Sequence, residues 1–163
     1  MAQTGFPIII VVEPPGACGE VQQLTGAVVI AQQAGTLGDR MAAAMRALFE
    51  RGAAAVALIG SDLPDVDARV VADAFAALDA EPSALVLGPA LDGGYYLVAA
   101  TRPAAVFDAI DWGTPQVLGQ TLAAAARARR PVRLVAAMGD VDTPRDLRRV
   151  RAPRTRAWVA AHL

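Results

Sequence analysis

The residues of this chain best suited to chemistry are carboxylates placed just past apolar runs. "GSDLPD" (60–65) follows the apolar stretch 56–59 and sets Asp62 ahead of a turn held by Pro64. "MGDVDTPRDL" (138–147) carries Asp140 and Asp142 just before a helix start, and "GPALDGG" (88–94) carries Asp92 ahead of Gly93 and Gly94. A carboxylate at the carboxyl end of a buried strand suits a divalent cation that bridges phosphate oxygens. Mg²⁺ in such sites is held by one or two carboxylates together with the phosphates of a substrate. The plainer reading makes these aspartates helix caps, each worth about 1 kcal/mol. It serves Asp65 or Asp67 well and Asp62 poorly, because Asp62 falls between strand and cap. In an extended "DVD" stretch, alternation sends Asp140 and Asp142 to opposite faces. Thr143, followed by Pro144, is the natural N-cap there, which leaves Asp142 spare. Paired glycines after Asp92 serve either a tight hairpin or the close approach of a ligand to the backbone.

Two further loops have binding chemistry. "QQAGTLGDRM" (32–41) is a glycine-punctuated loop opening a helix, with N–H groups able to meet a base or a phosphate and with Arg40 beside them. Arg40 reads equally as an exposed helix charge. "DWGTP" (111–115) places an indole, Trp112, and a hydroxyl, Thr114, before another helix; core packing and a simple N-cap are their plainer roles.

Composition removes several alternatives. One cysteine, Cys18, and one histidine, His162, exclude an internal disulfide, a Cys-rich metal site, a His-built zinc centre and a Ser-His-Asp triad. All 15 basic residues are arginine, so neither a Schiff-base lysine nor a phosphate-gripping lysine exists in this chain. Most arginines lie beyond position 126, where an anionic partner is conceivable, yet the net charge of −1 does not favour nucleic acid. No apolar stretch reaches the ~20 residues that span a bilayer, and the N-terminus lacks signal-peptide features. A soluble, cytoplasmic protein with no membrane partner is expected, and 163 residues suit one domain.

The elements that must carry these loops read as follows. Residues 8–12 form a buried β-branched strand ended by Pro14-Pro15-Gly16, and 28–30 form a second strand. Residues 37–51 have helical spacing, with Gly52 just past the end. Residues 56–59 are a buried strand and 67–78 a helix with Val70, Val71, Ala74, Phe75 and Leu78 inward. Strands at 85–87 and 95–98 flank the Asp92 loop. A helix over 115–129, a strand over 132–135, a short helix over 143–150 and a helical turn or two over 155–162 complete the chain. Such alternation predicts an α/β fold with a mostly parallel sheet covered on both faces, its functional loops along one rim.

Five motifs in order, "Q-x-x-G-x-L-G-x-R-M", "GSDLPD", "LGPALDGGYYLV", "W-x-T-P-x-V" and "DVDTPRDL", resemble an incompletely characterised bacterial family of the glycosyltransferase-A (GT-A) superfamily. It is related to phospholactate guanylyltransferase and, more distantly, to molybdenum-cofactor guanylyltransferase. The resemblance covers about residues 7–150. It implies a Rossmann-like three-layer sandwich of the nucleotide-diphospho-sugar transferase type, and a glycosyl- or nucleotidyltransferase activity on a nucleotide sugar or nucleoside triphosphate. It also implies Mg²⁺ or Mn²⁺ held by Asp62 and Asp142 with Asp140 nearby, and Asp62 and Asp92 as catalytic residues. Gln32, Gly35, Arg40 and Gly60 would lie at the nucleotide, and Gly93, Gly94, Trp112 and Thr114 on the acceptor side. The family's first strand and its Lys/Pro/Gly phosphate loop are expected to be missing here. Glu13 stands where a cation would be needed, and an acidic residue there repels a triphosphate. Loss of that strand leaves an exposed sheet edge, which invites a homodimer. The competing expectation is a catalytically degenerate member that serves as a binding or assembly subunit.

Overall fold

The computed structural model describes residues 5–141 and 143–162. Its centre is a hairpin, β4 (Leu85–Pro89) and β5 (Tyr95–Ala100), in which Val86 pairs with Ala99 and Leu87 with Val98. β3 (Val56–Ile59) lies antiparallel on the other side of β5, and β6 (Val132–Leu134) runs parallel to β4. The order is β3-β5-β4-β6. Because β5 opposes both neighbours, β3, β4 and β6 all point the same way and their carboxyl ends share one rim. The sheet is thus mixed, with β5 the reversed strand.

Both faces of this sheet are covered, and so its strands read as continuous apolar runs rather than alternating ones. Leu85, Leu87, Val98 and Ala100 meet Met45 of α2 (Leu37–Glu50) and Ala124 and Ala125 of α4 (Val117–Arg127). Val86, Leu97 and Ala99, on the opposite face, meet Val70, Ala74 and Leu78 of α3 (Ala68–Ala80). The two-residue period of the strands therefore divides one apolar sequence between two helical layers. Asp67 caps α3 by accepting from the N–H groups of Arg69 and Val70, and Thr36 opens α2 in a capping box with Asp39. Two hydrogen bonds to Thr36 hold the Asp39 carboxyl below its usual range.

β1 (Ile9–Val12) and β2 (Val28–Ala31) form a separate parallel pair. A parallel pair requires a crossover, supplied here by α1 (Cys18–Thr25), which the sequence reading lacks. Its Gly19, Val21 and Thr25 are weak helix formers, although Gly26 past its end, at φ 68°, is an ordinary helix stop. The expectation of a buried first strand is corrected: Ile9–Val12 are all half-buried, and none of them belongs to either core cluster. A second correction concerns Thr114. α4 begins at Val117 after Gln116, and the Thr114 hydroxyl instead donates to the Asp111 carbonyl inside the preceding turn.

The chain closes with α5 (Pro144–Leu147) and α6 (Pro153–His162). Asp146 accepts from the N–H and hydroxyl of Thr143 at the start of α5. Asp65 accepts from the N–H groups of Arg151 and Ala152 just ahead of α6. Among the described residues no helix is long and apolar enough to cross a membrane.

Candidate functional site

The shared rim of β3, β4 and β6 gathers three loops, and Tyr96 at the start of β5 ties two of them together. Its backbone carbonyl accepts from the Gly60 N–H at 3.1 Å, fixing the loop that carries Asp62. Its hydroxyl crosses β4 and donates to the Ala136 carbonyl at 2.7 Å, fixing the segment that leads to Asp140. The crossing is open because Gly88 has no side chain; a Cβ there would lie 2.6 Å from the Tyr96 ring. Burial, with Asp67 nearby adding to it, raises the Tyr96 pKa, so the phenol keeps its proton to donate. Sequence reasoning placed Tyr96 in a strand and gave it no role. The pairing of a strand glycine with a facing tyrosine was the available signal.

The two acidic loops then meet directly. The N–H of Val141 donates to the Asp62 carbonyl at 3.1 Å, the N–H of Met138 donates to the Pro89 carbonyl at 3.0 Å, and the N–H of Leu91 donates to the Met138 carbonyl at 3.0 Å. Asp140 is half-buried and Asp62 exposed. The Asp62 carboxylate folds back over Gly60, where an added Cβ would lie 2.9 Å from Oδ1. Asp39, Asp67, Asp92 and Asp146 accept from nearby backbone N–H groups, and Asp65 accepts from the N–H groups of Arg151 and Ala152. Among the described residues, the Asp62 carboxylate meets no hydrogen-bond donor. Asp142 lies outside the described residues. Among those described, no three His, Cys, Asp or Glu side chains are grouped as a metal site.

Asp92, Gly93 and Gly94 form the β4–β5 turn, so the hairpin reading of the glycines holds. Asp92 is exposed and its Oδ1 accepts from the Gly94 N–H at 2.8 Å. Gly93 sits at φ 95° with the Pro115 carbonyl where a Cβ would be, and its own carbonyl accepts from the N–H of Leu118. Gly93 therefore docks the turn onto the entry to α4, beside Thr114. Trp112 packs over the start of α2, 2.9 Å from a hypothetical Cβ at Gly38, and meets Tyr95 edge-on at 6.2 Å. The Tyr95 hydroxyl is buried next to Thr121, neither oxygen reaching a hydrogen-bond partner, and burial pushes the phenol up to about 12.

The β2–α2 loop is held from within. The Gln32 N–H continues the β1–β2 ladder to the Val12 carbonyl, and its side chain reaches Glu13 at 3.5 Å. Gly35 is at φ 127° against the Asp39 carboxylate, and Arg40 Nε donates to the Gly35 carbonyl at 2.9 Å. Arg40 also lines a cavity of about 340 Å³ between β1–β2 and the alanine face of α2. A larger cleft of about 780 Å³ adjoins the acidic rim, lined by Leu91, Met138 and Asp140 and by Arg149, Val150 and Arg151. Sequence reasoning did not find the last three, because they come from the C-terminal arginine-rich segment.

The helix-covered mixed sheet matches solved structures of the nucleotide-diphospho-sugar transferase type. A solved structure of a candidate nucleotide-diphospho-sugar transferase from Desulfovibrio desulfuricans G20 matches at 30% identity and TM-score 0.77, over 94% of this chain and 73% of that one. CMP:2-keto-3-deoxy-manno-octonic acid synthetase, solved with CTP, matches in fold at 14% identity and TM-score 0.61, over 97% of this chain and 82% of that one. No curated protein matches. The chain belongs to the family described as "Uncharacterized protein conserved in bacteria (DUF2064)", which matches residues 2–114.

Proposed function

We propose that this protein is a metal-dependent transferase that uses a nucleotide sugar or a nucleoside triphosphate and passes a glycosyl or nucleotidyl group to an acceptor. The observation that carries the reading is the Asp62 carboxylate, unspent on any cap and stitched by the Val141 bond to the loop of Asp140 and Asp142. The 30% identity to a candidate nucleotide-diphospho-sugar transferase supports the same class. Kinship to the phospholactate and molybdenum-cofactor guanylyltransferases is the narrower form of the proposal.

The residues suit a hard divalent cation, since the donors are carboxylate oxygens and the Gly60 cradle leaves the Asp62 carboxylate room. Asp62, Asp140 and Asp142 would hold Mg²⁺ or Mn²⁺. The ion would supply charge stabilisation at the phosphate oxygens of the leaving group. Asp92, exposed on the neighbouring turn, orients or deprotonates an acceptor hydroxyl. Gly60, Gln32, Gly35 and Arg40 border the nucleotide. Gly94 and the Gly93–Thr114–Trp112 surface border the acceptor. The test is calorimetric titration with Mn²⁺ and a panel of nucleotides. Metal-dependent binding of one nucleotide supports the proposal, and no binding of any nucleotide in the presence of metal sinks it.

A second reading, a family member that retains the fold as a binding or assembly subunit, is favoured by the absence of any lysine and by Glu13 beside Gln32. The same titration decides between the two. In either case we propose a homodimer through the open edge of the β1–β2 sheet, where Val28 of β2 and Ile8, just ahead of β1, are 60% and 42% exposed. Light scattering that gives a monomer mass at high concentration rejects the dimer.

A further inference from the structure

We infer that the C-terminal segment makes the large cleft into an anion subsite for a phosphate-bearing ligand, with Arg149 and Arg151 as its cationic groups. The inference deepens the proposed transferase reading and rests on it for the identity of the ligand, not for the existence of the subsite. The cleft, about 780 Å³, has the volume of a site for a small molecule rather than for a lone ion. Leu91, Met138 and Val150 give it apolar lining, and Asp140 opens it onto the acidic rim.

The charged groups of the cleft differ in what already holds them. Asp65 spends both oxygens on the N–H groups of Arg151 and Ala152, at 2.7 to 3.1 Å. Asp146 accepts twice from Thr143, at 2.7 and 2.9 Å. Asp65 and Asp146 are thereby held in place as part of the wall, and Asp140 is the third acid of the lining. Arg149 and Arg151 are exposed and neither is ion-paired with a described residue. Guanidinium forks match phosphate oxygens two at a time, so a pair of them on one wall selects a phosphate over a neutral group. The Asp65 side-chain bonds to residues 151 and 152 anchor that wall to the loop that carries Asp62, so the subsite and the acidic rim are tied to each other. Residues 143–152 lie beyond the 2–114 stretch matched to the family. With no lysine in the sequence, a long cationic side chain for a phosphate is an arginine, and Arg149 and Arg151 are the arginines that line this cleft.

The test uses the full chain and inorganic pyrophosphate, titrated calorimetrically at low salt in EDTA. The wild type should bind, and the R149Q/R151Q double variant should bind at least about tenfold more weakly, equivalent to about 1.4 kcal/mol. R127Q, an exposed arginine at the end of α4, should bind like the wild type. Near-ultraviolet circular dichroism checks the fold of the double variant; should it not fold, R149Q and R151Q singly carry the same readout. No binding by the wild type, or equal binding by wild type and double variant, overturns the inference. Pyrophosphate binding that requires Mn²⁺ and ignores both arginines also overturns it while leaving the metal reading intact. Arginine-dependent binding in a protein that takes no Mn²⁺ supports the subsite and removes the metal reading. Two sources of phosphate are separated by competition. Displacement of pyrophosphate by nucleoside triphosphates assigns the subsite to the nucleotide tail, and displacement by a sugar phosphate alone assigns it to the acceptor.

Discussion

Residues 9–12 and 85–87 are almost interchangeable as sequence, Ile-Ile-Val-Val against Leu-Val-Leu, yet the fold treats them oppositely. Leu85, Val86 and Leu87 are 0% exposed, in the interior of a sheet with helices on both faces. Ile9–Val12 pair only with β2 and stay half-buried, outside both core clusters. An apolar run reports a capacity for burial; the neighbours that realise it are supplied by topology. The same division separates the two regions: the four-stranded sheet carries the acidic loops, whereas β1–β2 is a two-stranded sheet with open edges.

The largest effect that tests this contrast is a truncation in each region. Leu87→Ala should cost about 2–5 kcal/mol, because the deleted atoms leave a cavity in a packed interior. Ile10→Ala should cost less than half as much, and equal losses in denaturant titrations would erase the distinction between the two sheets. Next comes the turn that docks on α4. Gly93→Ala forces a side chain into φ 95° and into the Pro115 carbonyl, and should cost about 1–3 kcal/mol with the β4–β5 turn displaced. A thermal midpoint equal to that of the wild type would show that the turn is loose.

The smallest effect is read by pH. Burial raises Tyr95 to about 12, and Tyr96 is raised as well. A folded pKa above the unfolded value of about 10 means that the stabilisation is complete below pH 10 and is lost as pH rises toward 12. In an absorbance titration of phenolate at 295 nm, the Tyr95 share of the signal should therefore be absent through the normal tyrosine range and appear only as the sheet opens. Ionisation of both phenols near pH 10 in a folded protein would contradict the burial of Tyr95.

Much of this fold is legible in local sequence. β3 was bounded correctly at Val56 and Ile59, and α2 within a residue at its end, because apolar periodicity and a glycine stop act within one turn or strand. The acidic loops were legible for a similar reason, since Gly, Pro and Asp mark the carboxyl ends of strands. Partners distant in sequence were not. The bond from Arg151 to Asp65 spans 86 positions, and the Tyr96 hydroxyl reaches 40 positions to Ala136. No local pattern encodes either contact. The reversal of β5 was hidden likewise: a strand buried on both faces reads the same in either direction, and only the short Asp92-Gly93-Gly94 turn signalled a hairpin.

The most direct test of the proposed function is electron paramagnetic resonance of Mn²⁺ added to the wild type and to Asp62→Asn, each with the nucleotide that binds. Loss of the free-ion signal in the wild type, and its return in the variant through binding at least about tenfold weaker, is the predicted result. Equal retention of Mn²⁺ by both proteins, or a free-ion signal undiminished in the wild type, would contradict a cation held at the Asp62 rim.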